Sequence, residues 1–273
     1  MSTSKNVLPG NGFRNKKRFG QNFLCDKNIL REIAARAEIK DAVVLEIGPG
    51  QGSLTVELIN AGSSYIHCVE IDRTLENWLR PIENEHSSRL KIHFADAVKF
   101  DYSTLYPFPG KAVANIPYNI TTPLICALLP FAGRGLRSHI YTVQLEAAQR
   151  LMAKADTKER YPLGVALEVM GRVTLVRRVP PSCFRPAPRV DSAVVEIELD
   201  RNLHLMRTPL WSNLLHAGFR QRRKTLLNNL KGFGGVEDWR GLLGRAGIDP
   251  GIRAEDLSGE EWLRLYSILD CNE

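Results

Sequence analysis

The chain has 273 residues, 37 Lys and Arg against 30 Asp and Glu, a formal net charge of +7, and 44% hydrophobic and 25% charged residues. That composition supports a packed core of one or two domains and excludes disorder beyond the ends. No run of about 18 apolar residues offers a membrane span, and the first 20 residues lack the apolar segment of a secretory signal.

The basic excess favours an anionic partner, nucleic acid first, because Lys and Arg displace the counterions that sit on phosphates. A generic basic protein would give the same total. The five cysteines, Cys25, Cys68, Cys126, Cys183 and Cys271, are odd in number and contain no CxxC. They read as reduced, buried thiols of a cytosolic protein rather than a disulfide framework or a zinc site. The histidines show no ligand spacing, so no metal is expected.

Taken in chain order, residues 1–20 are basic and acid-free and are expected to be a flexible arm. Asp26 is placed to cap a helix through NILREIAARAEI, with Ile29, Leu30, Ile33 and Ala37 at helical spacing. VVLEI reads as a buried parallel strand, followed by a glycine turn and the helix SLTVELINAG, closed by Gly62. YIHCVEID, LKIHF, KAVA and SHIYTVQL read as further strands, with helices at LENWLRPI and TTPLICALLPF. Strands alternating with helices imply a parallel α/β sheet covered on both faces. AAQRLMAKADTKERYPLGVALEVMG reads as helical with a break at 161–164, and RVTLVRRVP and SAVVEIEL as a returning strand pair. From about residue 204 only helical patterns follow, including WSNLLHAGFRQRRKTLLNNLKGF. The expected division is 1–203 and 204–273.

In such sheets ligands bind beyond the carboxyl ends of the strands. The candidate residues gather there: Gly48, Gly50 and Gly52, then Glu70, Asp96 and Asn115. Glycines allow a tight turn and close approach of a ligand to the backbone. An acid closing the second strand accepts hydrogen bonds from ribose hydroxyls, which suits NAD, FAD or an adenosyl cofactor equally. Asp96, with Ala97 beside it, could take the exocyclic amine of an adenine. The GxGxG spacing departs from the GxGxxG of nicotinamide enzymes and favours S-adenosylmethionine.

The fourth strand ends in NIPY. Asn115 offers a side-chain carbonyl, Ile116 a main-chain carbonyl, Pro117 a fixed φ and Tyr118 a π-face for a base. Two acceptors on the two N–H groups of an aromatic amine favour a pyramidal nitrogen whose lone pair points at an incoming methyl group. Positioning and hydrogen bonding then carry the chemistry without a strong base. The plain alternative is a surface loop.

With these residues in place the chain resembles the ribosomal RNA adenine dimethyltransferases of the KsgA type. The resemblance runs from about residue 14 to about residue 265, through KKRFGQNFL, EIGPGQGSLT, VEID, ADAVKFD, NIPYNITTPL, FRPAPRVDSAV and FRQRRKTLLNNL. It implies a Rossmann-like class I S-adenosylmethionine-dependent methyltransferase domain with a small C-terminal all-α domain. The implied activity is N6,N6-dimethylation of two adjacent adenosines in the loop of the 3′-terminal hairpin of small-subunit rRNA, within a 30S assembly intermediate. A cytoplasmic monomer with no membrane partner is expected on the same ground. By the resemblance, Gln21, Asn22, Leu24, Gly48, Gly50, Glu70, Ile71, Asp96, Ala97 and Asn115 would hold the cofactor, and Tyr118 and Phe184 would sandwich the target base. Leu145, where lysine is common, Ile116, where leucine is usual, and the YPLGV stretch at 161–165 depart from the family pattern.

Lys16, Lys17 and Arg18, and Arg220, Arg222, Arg223 and Lys224, are the expected phosphate contacts. An amphipathic helix face in solvent is the bland alternative for the second group. The rival functions are a large-subunit rRNA adenine methyltransferase of the macrolide-resistance type and a non-catalytic RNA-binding assembly factor. RRKTLLNNL favours the small-subunit type, and the intact Glu70, Asp96 and Asn115 favour catalysis.

Overall fold

A computed structural model describes residues 21–270. Lys16, Lys17, Arg18 and Cys271 lie outside the described residues. A short strand, β1 (Phe23–Leu24), opens this part, followed by helix α1 (Lys27–Arg36). Asp26 caps α1 as its position predicts, accepting from the backbone N–H of Asn28 and Ile29 at 2.9 and 3.2 Å.

The chain then alternates: β2 (Val43–Ile47), α2 (Ser53–Asn60), β3 (Tyr65–Glu70), α3 (Glu76–Glu85), β4 (Leu90–Phe94), β5 (Lys111–Asn115), α4 (Thr121–Leu128) and β6 (Ser138–Gln144). Gly62, just past α2, takes a φ of 88°, the left-handed conformation that closes a helix. Next come α5 (Leu145–Leu151), α6 (Pro162–Met170), β7 (Gly171–Val179), β8 (Phe184–Arg185) and β9 (Ser192–Leu199). Helices α7 (Pro209–Gly218), α8 (Leu226–Leu230), α9 (Trp239–Arg245) and α10 (Gly259–Asp270) complete the chain.

Seven strands form one sheet in the order β4-β3-β2-β5-β6-β9-β7. The first five are parallel, as their apolar runs predict. The last pair makes the sheet mixed: β9 runs antiparallel between β6 and β7 and leaves β7 at the edge. Insertion of β9 explains why it is almost wholly buried while β7 is exposed or half-covered along most of its length. Leu45, Ile47 and Tyr141 face one core, and Val44, Ile66 and Ile140 face another across the sheet. The chain steps outward from β2 to β4 and then returns to place β5 on the other flank of β2. The loops therefore diverge above β2 and β5, which opens a crevice at their carboxyl ends.

Two helical expectations change. The break between α5 and α6 covers 152–161, earlier than expected, and Pro162 starts α6 at a position where its missing N–H costs nothing. The basic stretch 219–225 is a turn between α7 and α8, not part of a helix. Of the four cysteines among the described residues only Cys68 is buried; Cys25 is exposed, Cys126 and Cys183 are intermediate, and all four are free.

A third core unites the helices after β9 through Trp211, Trp239 and Trp262. Helix α6 belongs to two cores at once: Val165, Ala166 and Val169 face the helical one, and Leu163, Leu167 and Met170 the sheet. Arg160 ties the same junction. Its buried guanidinium donates to Ala153 O at 2.8 Å, Leu257 O at 3.1 Å and the Glu168 carboxylate. Glu168 in turn accepts from the N–H of Gly259 at the start of α10 at 3.0 Å.

Candidate active site

The ends of β2, β3, β4 and β5 open on one cavity of about 500 Å³, well within the range of small-molecule sites. Its floor is the glycine turn after β2. Gly50 sits at φ 59°, and a Cβ there would come within 2.7 Å of the Phe23 ring, so only glycine lets the two segments meet.

Glu70, 4% exposed, joins that turn to the end of β3. One carboxylate oxygen accepts from Gly50 N–H at 3.1 Å and the other from Asp72 N–H at 2.8 Å. Burial raises the Glu70 pKa, and the two N–H groups pull it back down. Each oxygen retains a lone pair for a ligand hydroxyl. Ile71, exposed beside Glu70, adds an apolar wall.

Asp96 and Ala97 form the third side, with Val98 and Lys99. Asp96 accepts from Val98 N–H at 2.9 Å, which folds the segment back after β4. The buried Tyr102 hydroxyl donates to Ala97 O at 2.6 Å and pins it.

The fourth side is Asn115 to Tyr118. Asn115 donates its Nδ2 to the main-chain oxygen of Asn22 at 2.8 Å. A carbonyl accepts only from a donor, so this bond fixes which end of the amide is which and leaves Oδ1 as a directed acceptor. Ile116 is buried and its N–H is held by Thr142 O at 3.0 Å, so what it offers the cavity is main chain. Pro117 sits at φ −55°. The Tyr118 hydroxyl bonds Ser192 Oγ at 2.6 Å, which fixes the ring plane at the cavity wall.

Residues Gln21, Asn22 and Phe23 line the cavity as one strap of chain. Gln21 Nε2 donates to Asp72 at 3.1 Å, and β1 pairs antiparallel with β8.

The structure thus brings Gln21, Asn22, Gly48, Gly50, Glu70, Ile71, Asp96, Ala97, Asn115, Ile116, Pro117 and Tyr118 to one cavity. It does not bring Leu24 or Phe184 there. These two face each other across the β1–β8 ladder, and both side chains are buried in the core on that side of the sheet. Strand alternation is the reason: Phe23 faces the cavity, so Leu24 faces away. Phe184, at 0% exposure, offers no face to a base in this arrangement. Arg220, Arg222, Arg223 and Lys224 are exposed on the turn after α7, and the last three line a separate hollow. Phe23 and Tyr102 were missed. The alternation of Phe23 with Leu24 in QNFL carried a signal; Tyr102, in a loop, carried none.

Two carboxylates engaged by backbone N–H groups, a directed amide oxygen and a fixed aromatic ring make a site for holding and orienting rather than for nucleophilic attack. The family model described as ribosomal RNA adenine dimethylase matches residues 12–270. The chain belongs to the ribosomal RNA adenine dimethylase family. Curated relatives in this family include the ribosomal RNA small subunit methyltransferase A of Chromobacterium violaceum, 39% identical over 93% of this chain and 95% of the relative. The protein of that name from Rubrobacter xylanophilus is 41% identical over 95% and 97%. Among solved structures, a dimethyladenosine transferase from Plasmodium falciparum is similar with a TM-score of 0.72 and 27% identity, covering 89% of this chain and 95% of that one. The 23S rRNA methyltransferase ErmE is similar with a TM-score of 0.66 and 26% identity, covering 91% and 100%. As a ribosomal RNA adenine dimethylase the chain is an α/β methyltransferase; its departures at Leu145, which starts α5, and at 161–165, which run from the cap of α6 into its first turn, do not line the cavity.

Proposed function

We propose that this chain dimethylates N6 of two adjacent adenosines in the loop of the 3′-terminal hairpin of small-subunit rRNA, with S-adenosylmethionine held in the cavity between β2 and β5. The small-subunit target is supported by relatives at 39% and 41% identity that carry that name over nearly their whole length. The observation that carries the chemistry is the fixed amide of Asn115.

The cavity lining fits the cofactor. Glu70 presents free lone pairs beside a glycine turn, as a ribose diol requires, and Asp96 with Ala97 and Ile71 offers an acceptor and apolar walls to an adenine. Gln21, Asn22, Gly48 and Gly50 complete the enclosure by main chain and strap. When bound, S-adenosylmethionine supplies a methyl group on a sulfonium, an electrophile that needs no further activation.

The chain's own residues supply orientation. Asn115 Oδ1 and the main-chain oxygen of Ile116 accept from the two N–H groups of the target amine, which localises its lone pair for attack. Pro117 keeps those acceptors in fixed relation. Tyr118 stacks on the base, its ring held by Ser192. Phe184 is left out of this assignment, because its side chain is fully buried in the core and presents no face to the cavity. A single-stranded loop suits the site, since its bases can be turned out without unpairing.

We assign residues 1–203 to cofactor binding and catalysis and 204–273 to seating the RNA. Lys16, Lys17 and Arg18 and the turn after α7 are the proposed phosphate contacts. The substrate is a 30S assembly intermediate, met in the cytoplasm by a single copy of the chain.

The test is transfer from labelled S-adenosylmethionine to unmethylated small subunits, with large-subunit rRNA as control and the product mapped by mass. Dimethyladenosine in the small-subunit hairpin is expected. Label in the large-subunit RNA alone would overturn the target, and absence of cofactor binding would overturn the whole reading.

A further inference from the structure

We propose that buried Asn229 is a positioning residue for RNA: it shapes the turn 221–224 so that Arg223 and Lys224 engage backbone phosphates, while Arg222 anchors the turn to the protein. This rests on the reading of that turn as an RNA contact.

Asn229 is 2% exposed, yet every polar atom of its side chain is used. Nδ2 donates to Gly218 O at 2.6 Å and to Gln221 O at 3.1 Å, and Oδ1 accepts from Gln221 N–H at 3.2 Å. One side chain thus holds the last residue of α7 and both main-chain groups of Gln221. Lys224 N–H closes onto the same Gln221 oxygen at 3.0 Å. The conformation of the whole basic turn is therefore referred to Asn229. Its own helix is fixed independently: the Leu226 N–H donates to Ile252 O at 2.7 Å, and the Thr225 hydroxyl caps Asn228 at 3.4 Å.

Gln221, Arg222, Arg223 and Lys224 line a shallow hollow on the turn that is open to solvent. Arg222 is committed elsewhere: it donates to Lys158 O at 2.5 Å and lies 4.0 Å from Glu255. Among the described residues nothing pairs with the side chains of Arg223 or Lys224, and both are exposed. Two unpaired cations on a rigid concave turn suit a phosphate backbone, whose charges are fixed in spacing. Lys158 lies in the 152–161 segment that leads into α6, so the Arg222 anchor ties the turn to the sheet-bearing part of the chain.

The experiment is a mutant cycle on the full chain with unmethylated small subunits as substrate: Asn229→Ala, Arg223→Ala with Lys224→Ala, and all three together. Each of the first two should raise KM for the subunit about tenfold, leave kcat and the cofactor Kd within about twofold, and lower the salt slope of RNA binding by about one to two. The triple variant should add less than twofold to KM, because Asn229 acts through those two cations. A multiplicative loss in the triple variant would show that Asn229 serves only the fold and would overturn the proposal. Loss of RNA affinity in Asn229→Ala with no effect of the charge pair would overturn the RNA reading of the turn as well. Loss of affinity in the charge pair with none in Asn229→Ala would overturn the positioning role alone. Should Asn229→Ala not fold, Asn229→Ser is read on the same cycle.

Discussion

Asn115 donates its amide hydrogen to the main-chain oxygen of Asn22, 2.8 Å away and far back in sequence, and so has its carbonyl oxygen free and aimed. The strap 21–23 and the end of β5 are thereby one unit: a segment that lines the cavity also sets the angle of the proposed amine acceptor. Asn115→Ala should lower kcat about a hundredfold or more, the scale seen when one preorganised hydrogen-bonding group is removed from an active site. RNA affinity should stay within about twofold, since phosphates supply most of it. Single-turnover methyl transfer beside an RNA-binding titration checks both; undiminished turnover would remove Asn115 from the mechanism.

Tyr102 holds the Ala97 carbonyl from beneath with a 2.6 Å bond while sitting out of reach of the cavity. Tyr102→Phe keeps the ring in the core and deletes the bond. The expected cost is about 1 kcal/mol of stability, the usual net worth of one hydrogen bond. The Asp96–Ala97 wall also loosens, so the cofactor Kd should rise about three- to tenfold by calorimetry, with RNA affinity unchanged. An unaltered cofactor Kd would reduce Tyr102 to a core residue.

Most of what positions the site was legible because it is local. Asp26 and Gly62 punctuate helices by their own backbone preferences, and runs such as VVLEI report burial directly. Residues whose work depends on distant partners were not legible. Asn229 reads as one more polar position on a helix until Gly218 and Gln221 are seen around it. Insertion of β9 between β6 and β7 leaves no mark in periodicity, because strand order is a tertiary choice. Phe184 was assigned to the base by resemblance, and resemblance does not say which way a side chain faces in the β1–β8 ladder. Nor does sequence separation show that Arg172 and Arg177, on the edge strand β7, pair with Glu198 and Glu32.

Arg160 joins α6, α10 and the 152–161 segment with a side chain that has no solvent exposure. Arg160→Met fills the space but leaves the carbonyls of Ala153 and Leu257 without a donor. Glu168 stays partly in water, which moderates the loss, so about 2 kcal/mol is expected rather than the larger cost of breaking a fully buried pair. Chemical denaturation measures it. The loss should be accompanied by faster hydrogen exchange at the start of α10, where Gly259 N–H relies on the same carboxylate. Unchanged exchange there would separate Arg160 from the junction.

Glu46 lies in the middle of β2, fully buried, and burial pushes its carboxyl up to about 7 from an ordinary value of 4.5. One oxygen accepts from the Cys68 thiol at 3.4 Å, and the Thr55 hydroxyl and that thiol draw the pKa only partly back. The folded chain therefore keeps a proton that the unfolded chain releases between about pH 4.5 and 7. Folding is favoured by this group below that window, and the benefit is lost as pH rises through the folded pKa. At about 1.4 kcal/mol per unit the loss comes to about 3 kcal/mol by pH 8. Glu46→Gln cannot ionise and should abolish that component. The histidines whose pKa burial lowers, His67, His93 and His139, titrate in both proteins and cancel in the comparison. The variant's stability relative to the unmodified chain should thus rise between about pH 4.5 and 7 in urea unfolding and level off above that. A difference that stays flat across that range would mean that Glu46 is already ionised in the folded chain.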